Sequence, residues 1–248
     1  MTKIAIIGGS GLTRLTNLTI TGREVHNSPY GEPSAPIVRG KLEGVDVIFL
    51  PRHGAGHTIP PHKVNYRANL FVLNQLGVEN VVAINAVGGI TNEMSPQVIT
   101  IPDQIIDYTY SRLHTFFDEG LDKVTHIDFT QPYCETLRES ILAAAKSSAI
   151  HIIEKATYAA TQGPRLETAA EIDRLERDGC HVVGMTGMPE ASLARELGLC
   201  YASINVVANK AAGRGHVNEV ITLEEIEKNL NICLENVKRI LEVLIKNI

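Results

Sequence analysis

Between Pro51 and Lys63 an otherwise acidic chain gathers Arg52, His53, His57, His62 and Lys63, broken up by Gly54, Gly56, Pro60 and Pro61. The planar guanidinium fork matches phosphate oxygens and the adjacent imidazole adds a second donor, so anion binding is the favoured chemistry of this stretch. Three histidines also raise a metal. The glycines and prolines, however, break the helical spacing of common zinc motifs, and no carboxylate lies within the segment. A purely structural loop is the bland alternative. Further along, Asn85, Glu167, Thr186 and Asn209 each stand where an apolar run gives way to small or turn-forming residues. Near the start, Gly8-Gly9-Ser10-Gly11-Leu12 offers backbone amides and a hydroxyl to an anion. A dinucleotide reading of that loop is weaker, because Gly9-x-Gly11-x-x-Arg14 lacks the third glycine and no helix follows it.

These side chains need strands to aim them. Lys3 to Ile7, Val45 to Leu50, Asn80 to Ile84, Val98 to Ile106 with an interruption at Pro102-Asp103, Ile150 to Ala160, His181 to Gly184 and Tyr201 to Ala208 all read as strands, most as short buried apolar runs. Leu18 to Val25 looks extended, and Gly31 to Pro36 a loop. Helices are predicted over Val64 to Leu76 with Gly77 closing it, over Cys134 to Ser148, and from a Thr168/Glu171 capping box to Gly179. Pro189 fits the first turn of a helix running to Gly198, which puts Thr186 near a helix amino terminus. The last helix, Thr222 to about Lys246, carries apolar residues at alternating steps of three and four. Asp107 to Pro132 has no clean period, and such long irregular stretches are usually functional or interfacial. The result is an α/β chain whose strands end, one after another, in polar or glycine-rich loops. In open α/β sheets that is where ligands bind.

Composition narrows the partners. With 248 residues and 44% of them hydrophobic, the chain fits a single soluble domain over 1–248 with a large core. A net charge of -5 without a long basic run argues against nucleic acid or an anionic membrane. Cys134, Cys180, Cys200 and Cys233 are scattered and have apolar neighbours, so four small core residues in a reducing cytoplasm are expected rather than a disulfide framework or metal cluster. The apolar start is too short for a signal peptide, and no later run approaches a membrane span.

The motifs GGSGL, RHGAGHTIPPHKVNY, NAVGG, TQGPRLET, GMTGMPEA and ASINVVANKAAG, in this order and across nearly the whole chain, resemble the trimeric purine nucleoside phosphorylases and their methylthioadenosine phosphorylase relatives. The resemblance implies a central, mostly parallel mixed β-sheet flanked by helices, and phosphorolysis of a purine nucleoside with inorganic phosphate as co-substrate. No metal or organic cofactor is implied. Ser10, Arg52, His53, Asn85, Ala86 and Thr186 would surround phosphate. Asn209, Glu167, Leu166, Ala86, Val87 and Gly88 would meet the base. Met185, His57, Leu223 and Ile226 would meet the sugar and its 5' group. His126 matches a residue that reaches a neighbouring subunit's site, in a homotrimer or a dimer of trimers.

The base end matches the 6-oxopurine pattern of the family, because the adenine-specific members carry Asp at the position of Asn209 and a small polar residue at that of Glu167. An Asn amide accepts from a protonated ring nitrogen 7 and donates to a 6-oxo oxygen, while a Glu carboxylate accepts from the N–H of ring nitrogen 1. The sugar end points elsewhere: Leu223 stands where oxopurine enzymes usually have a His for the 5'-hydroxyl, which suits a methylthio group. The combination resembles a methylthioinosine-cleaving enzyme of purine salvage. Inosine or guanosine phosphorolysis, with His216 turned inward, stays open, as do methylthioadenosine phosphorolysis and a nucleoside-binding regulator without turnover.

Overall fold

A computed structural model describes residues 4–9, 16–215 and 221–248. Ser10 with residues 11–15, and His216, lie outside the described residues. The centre of the sheet is β1 (Ile4–Gly8), β4 (Val45–Pro51), β5 (Asn80–Gly89) and β10 (Cys200–Lys210). β1 lies between β4 and β5, and β10 runs along the other edge of β5, all in parallel. Their carboxyl ends therefore open on one side. These strands are buried almost end to end, as continuous apolar runs in a doubly covered parallel sheet must be.

Beyond β4 the sheet continues antiparallel through β3 (Ile37–Leu42) to β2 (Thr19–Glu24). On the other side, the tail of β5 pairs antiparallel with β9 (Val182–Gly184), which leads in parallel to β8 (Thr157–Ala160) and β7 (Gln104–Asp107). A short β6 (Ile99–Thr100) pairs antiparallel with β10. The register of β5 with β9 is decisive. Gly88 faces Val183, so the exit of β9 returns beside Val87 and Ala86 and brings two loops from opposite strand directions to one place.

One face of the sheet is covered by α2 (Glu135–Ser147) and α5 (Leu223–Asn247), which pack on each other and on β10. Val237, Ile240, Leu241 and Leu244 of α5 are fully buried there, each contributing about 1.5–3 kcal/mol of transfer free energy. The other face carries α1 (Tyr66–Gln75) packed on α4 (Gly187–Glu196), over a second apolar cluster. A smaller cluster seats α3 (Ala169–Arg177), whose reciprocal Thr168/Glu171 capping box forms as read from sequence.

Several expectations need correction. The segment Asn85–Gly89 is strand, not loop, because β10 pairs with it on one side and β9 on the other. Of Ile150 to Ala160 only Thr157–Ala160 is regular strand, and β3 is a strand that sequence reasoning passed over. In α4, Met188 is extended at φ -119 and ψ 139, so the helical run proper begins at Pro189. The cysteines differ most: Cys134 and Cys200 form a disulfide, while Cys180 and Cys233 are buried thiols. Cys134 caps α2 where β10 begins, and its N–H donates to Tyr201 O at 2.8 Å. A separation of 66 residues hides that proximity from the sequence.

Candidate active site

At the carboxyl side of the central strands lies a cavity of about 560 Å³, a size suited to a small organic ligand. Arg52, His53 and His57 reach its wall from the loop after β4, Ala86, Val87 and Gly88 from β5, and Leu166 and Glu167 from the loop after β8. Met185 and Thr186 reach it from the loop after β9, Asn209 from the end of β10, and Leu223 and Ile226 from the start of α5. Two predicted residues are elsewhere. Asn85 is buried behind the wall, and His126 is exposed on the irregular segment. Ile221, Pro60 and Pro61 are wall residues that the sequence did not single out.

The Arg52 fork does not face the cavity as the sequence suggests. Its Nε and Nη2 donate at 2.7 Å to the two carboxylate oxygens of Glu190 on α4, and Nη1 donates to Ile84 O at 3.0 Å. Both partners are essentially without solvent exposure. Burial opposes the Arg52 charge, but Glu190 more than offsets it and holds the guanidinium firmly protonated. Tyr201 from β10 also donates to Glu190, at 2.9 Å. Gly9 allows this packing: a side-chain carbon there would collide with Ile84 O and stand 2.9 Å from Arg52 Nη1.

His53 also changes role. Burial above all, and then the Arg52 charge, pull its pKa from 6.5 down to about 4, so the ring is neutral near pH 7. Nδ1 lies 2.8 Å from Ile59 O, and a carbonyl only accepts. The proton therefore sits on Nδ1, and Nε2 is an acceptor rather than the second donor expected. Burial lowers His57 too, and its ring lies 4.8 Å from that of His53. Among the described residues no cluster of three or more His, Cys, Asp or Glu is arranged to hold a metal.

Asn85 holds Thr186. Its Nδ2 donates to Asn205 Oδ1 at 3.0 Å, and its Oδ1 accepts from the Thr186 hydroxyl at 3.2 Å. The Thr186 and Gly187 N–H groups both point at the Tyr158 hydroxyl. At the other end of the cavity, a register shift in β10 between Val207 and Asn209 re-aims the strand's last residues, as bulges beside sites do. One Asn209 Nδ2 hydrogen is taken by Lys210 O at 2.7 Å, which fixes the amide plane and leaves Oδ1 and one N–H. Glu167 Oε1 accepts from Thr161 at 2.6 Å, leaving Oε2. Met185 packs so closely over Gly163, at φ +64, that any side chain there would strike its sulfur. Leu223, 82% exposed, stands at the mouth beside Ile221 and Ile226.

Residues 3–246 match the model of the phosphorylase superfamily. The chain belongs to that superfamily. It is 52% identical over 238 residues to a probable S-methyl-5'-thioinosine phosphorylase of Pseudomonas syringae pv. tomato, covering 96% of each chain. It is 47% identical over 218 residues to the 6-oxopurine nucleoside phosphorylase of Pyrococcus furiosus, covering 86% of this chain and 81% of that one. Its fold overlays on the methylthioadenosine phosphorylase of Schistosoma mansoni bound to adenine with a TM-score of 0.95 at 31% identity, over 100% of this chain and 92% of the other. The α/β architecture is thus that of a nucleoside phosphorylase, and the chain is an enzyme of the pentosyltransferase type.

Proposed function

We propose that this enzyme carries out phosphorolysis of S-methyl-5'-thioinosine, a 6-oxopurine nucleoside with an apolar 5' group, giving hypoxanthine and 5-methylthioribose 1-phosphate. The observation that carries the reading is one cavity in which Asn209 and Glu167 share a wall system with the apolar trio Ile221, Leu223 and Ile226. The atoms left on Asn209 and Glu167 suit one base pattern. Oδ1 accepts from ring N7–H, the remaining Nδ2 hydrogen donates to the 6-oxo oxygen, and Glu167 Oε2 accepts from N1–H. Adenine presents the inverse pattern and would leave buried groups unpaired, at about 1–3 kcal/mol each.

In the reaction a phosphate oxygen forms a bond to the anomeric carbon as the bond to purine N9 breaks, and the base takes the electron pair. N7 takes up a proton from solvent as the N9 bond breaks, so the base leaves as neutral hypoxanthine, and Asn209 stabilises it by accepting from that N7–H. Phosphate would be met by Ser10, the second Nη1 hydrogen of Arg52, the Ala86 backbone and Thr186, whose hydroxyl would turn its one hydrogen from Asn85 to the anion. His53 Nε2 would accept the proton still on the anion. Positioning and electrostatics then carry most of the barrier, with no acid-base pair required. Met185 and His57 would contact the sugar, and Leu166 the purine.

With this reading go inorganic phosphate as co-substrate and no metal or organic cofactor. It also implies a homotrimer or dimer of trimers in which His126 reaches a neighbour's site, and a place in cytoplasmic purine salvage. Inosine and methylthioadenosine are the competing substrates, and a non-catalytic regulator the competing class. Ultraviolet detection of hypoxanthine release with and without phosphate tests the reaction class: release should require phosphate. Release at equal rate without phosphate would make the protein a hydrolase, and no release from any purine nucleoside would favour the regulator.

A further inference from the structure

Arg112 stands in the irregular segment between β7 and α2 and is not itself a wall residue of the cavity, yet it is buried and each of its five N–H donors has an acceptor. Nε donates to Gln162 Oε1 at 3.1 Å, and Nη2 to Thr161 O at 3.2 Å and Gln162 O at 2.8 Å. Nη1 donates to Met185 O at 2.8 Å and Met188 O at 2.6 Å, with the Tyr66 hydroxyl at 3.5 Å. The guanidinium also lies 5.7 Å from the Tyr66 ring centre. All these acceptors are neutral oxygens, so this cation is held by backbone dipoles from two loops rather than by a carboxylate.

Those two loops are the ones that must be registered against each other. The first leaves β8 and runs through Thr161 and Gln162 to Glu167, whose Oε1 is held by Thr161 itself. The second leaves β9 and carries Met185 and Thr186. Beyond Gly184 no ladder joins these loops, and only Thr161 N–H to Gly184 O, at 2.8 Å, and the Thr161 hydroxyl span their roots. We propose that Arg112 is a positioning residue that sets the distance between the base-reading loop and the phosphate loop, and so aligns the anomeric carbon with the attacking phosphate oxygen. Lysine cannot replace it, because an ammonium has three donors on one atom and no planar fork to bridge two loops.

This inference rests on the assignment of Glu167 to the base and Thr186 to phosphate, and the test keeps the two apart. Arg112→Lys and the milder Gln162→Met, which removes one side-chain oxygen shared by Arg112 Nε and the Tyr110 N–H, are compared with the native enzyme for melting temperature and for steady-state kinetics on the 6-oxopurine nucleoside the native enzyme cleaves best. Calorimetric affinities for hypoxanthine alone, phosphate alone and hypoxanthine with phosphate saturating complete the comparison. Misalignment should lower kcat about 10- to 100-fold in Arg112→Lys and less in Gln162→Met. Each single-ligand affinity should stay within about threefold, while any gain in hypoxanthine affinity from bound phosphate is lost. Native kcat in a folded Arg112→Lys would overturn the proposal. So would a kcat loss matched by equal weakening of both single ligands, which a generally loosened fold produces. If Arg112→Lys does not fold, native kcat in Gln162→Met overturns it and a reduced kcat with intact single-ligand binding supports it. Failure of hypoxanthine to bind the native enzyme at all would instead count against the assignment of the base pocket.

Discussion

At Asn209 a single amide carries the choice of base, because Lys210 O consumes one of its donors and leaves one acceptor and one donor for the ligand. Asn209→Asp replaces that donor with an acceptor facing the 6-oxo oxygen. Turnover of 6-oxopurine nucleosides should fall about 10- to 100-fold, and adenine nucleosides should gain relative to them. Unchanged relative kcat/KM for the two bases would remove Asn209 from base reading. His53 gives a prediction of its own. Its folded pKa of about 4 lies below the ordinary 6.5, so between those values the unfolded chain holds a proton that the folded chain does not. Its contribution to stability is therefore complete above about pH 6.5 and declines as pH falls toward 4. Between pH 7 and 5 this loss amounts to about 2 kcal/mol at most. Urea midpoints measured across that range should decline more steeply for the native protein than for His53→Gln, and parallel curves would contradict the assignment. Reading the residue types was straightforward from sequence, but their protonation and direction were not. His53 becomes an acceptor because Ile59 O lies beside Nδ1, and Arg52 turns inward because Glu190, 138 residues away, meets its fork.

The elements are joined by two ties that local sequence patterns do not reveal. The Arg52–Glu190 pair pins the end of β4 to α4 inside the molecule, and removing one partner strands a buried charge. Glu190→Ala should cost about 3–5 kcal/mol, whereas Arg52→Met with Glu190→Leu should recover much of that loss, since a buried pair is often no better than an apolar one. Denaturant melts compare the two, and a double variant as unstable as the single one would be the wrong outcome. The second tie is the Cys134–Cys200 disulfide, which closes 66 residues and should contribute about 2–4 kcal/mol. Replacing both cysteines with serine should lower the denaturant midpoint accordingly, and an unchanged midpoint would contradict that. Most helices were legible because their capping boxes, closing glycines and apolar stripes are local. β3 was not, because Arg39, Gly40 and Lys41 interrupt its apolar pattern. Asn85 to Gly89 looked like a loop because small and polar residues become strand only when β10 and β9 flank them.

Across the whole molecule, the sheet turns six scattered motifs into one cavity, and the antiparallel join of β5 to β9 is what brings the base end and the phosphate end together. The convergence itself was readable, since polar residues recur at strand ends. The supports behind it were not: Tyr201, Tyr158 and Arg112 act through partners distant in sequence and carry no motif of their own, and Glu190, though inside GMTGMPEA, meets Arg52 from 138 residues away. The central claim concerns substrate, and it joins an oxo-reading base wall to an apolar 5' wall. The most direct test is kcat/KM for S-methyl-5'-thioinosine, inosine and S-methyl-5'-thioadenosine at saturating phosphate. Methylthioinosine should exceed inosine through its 5' group and methylthioadenosine through its base, each by at least about tenfold. A preference for inosine, or faster cleavage of methylthioadenosine, would contradict the account.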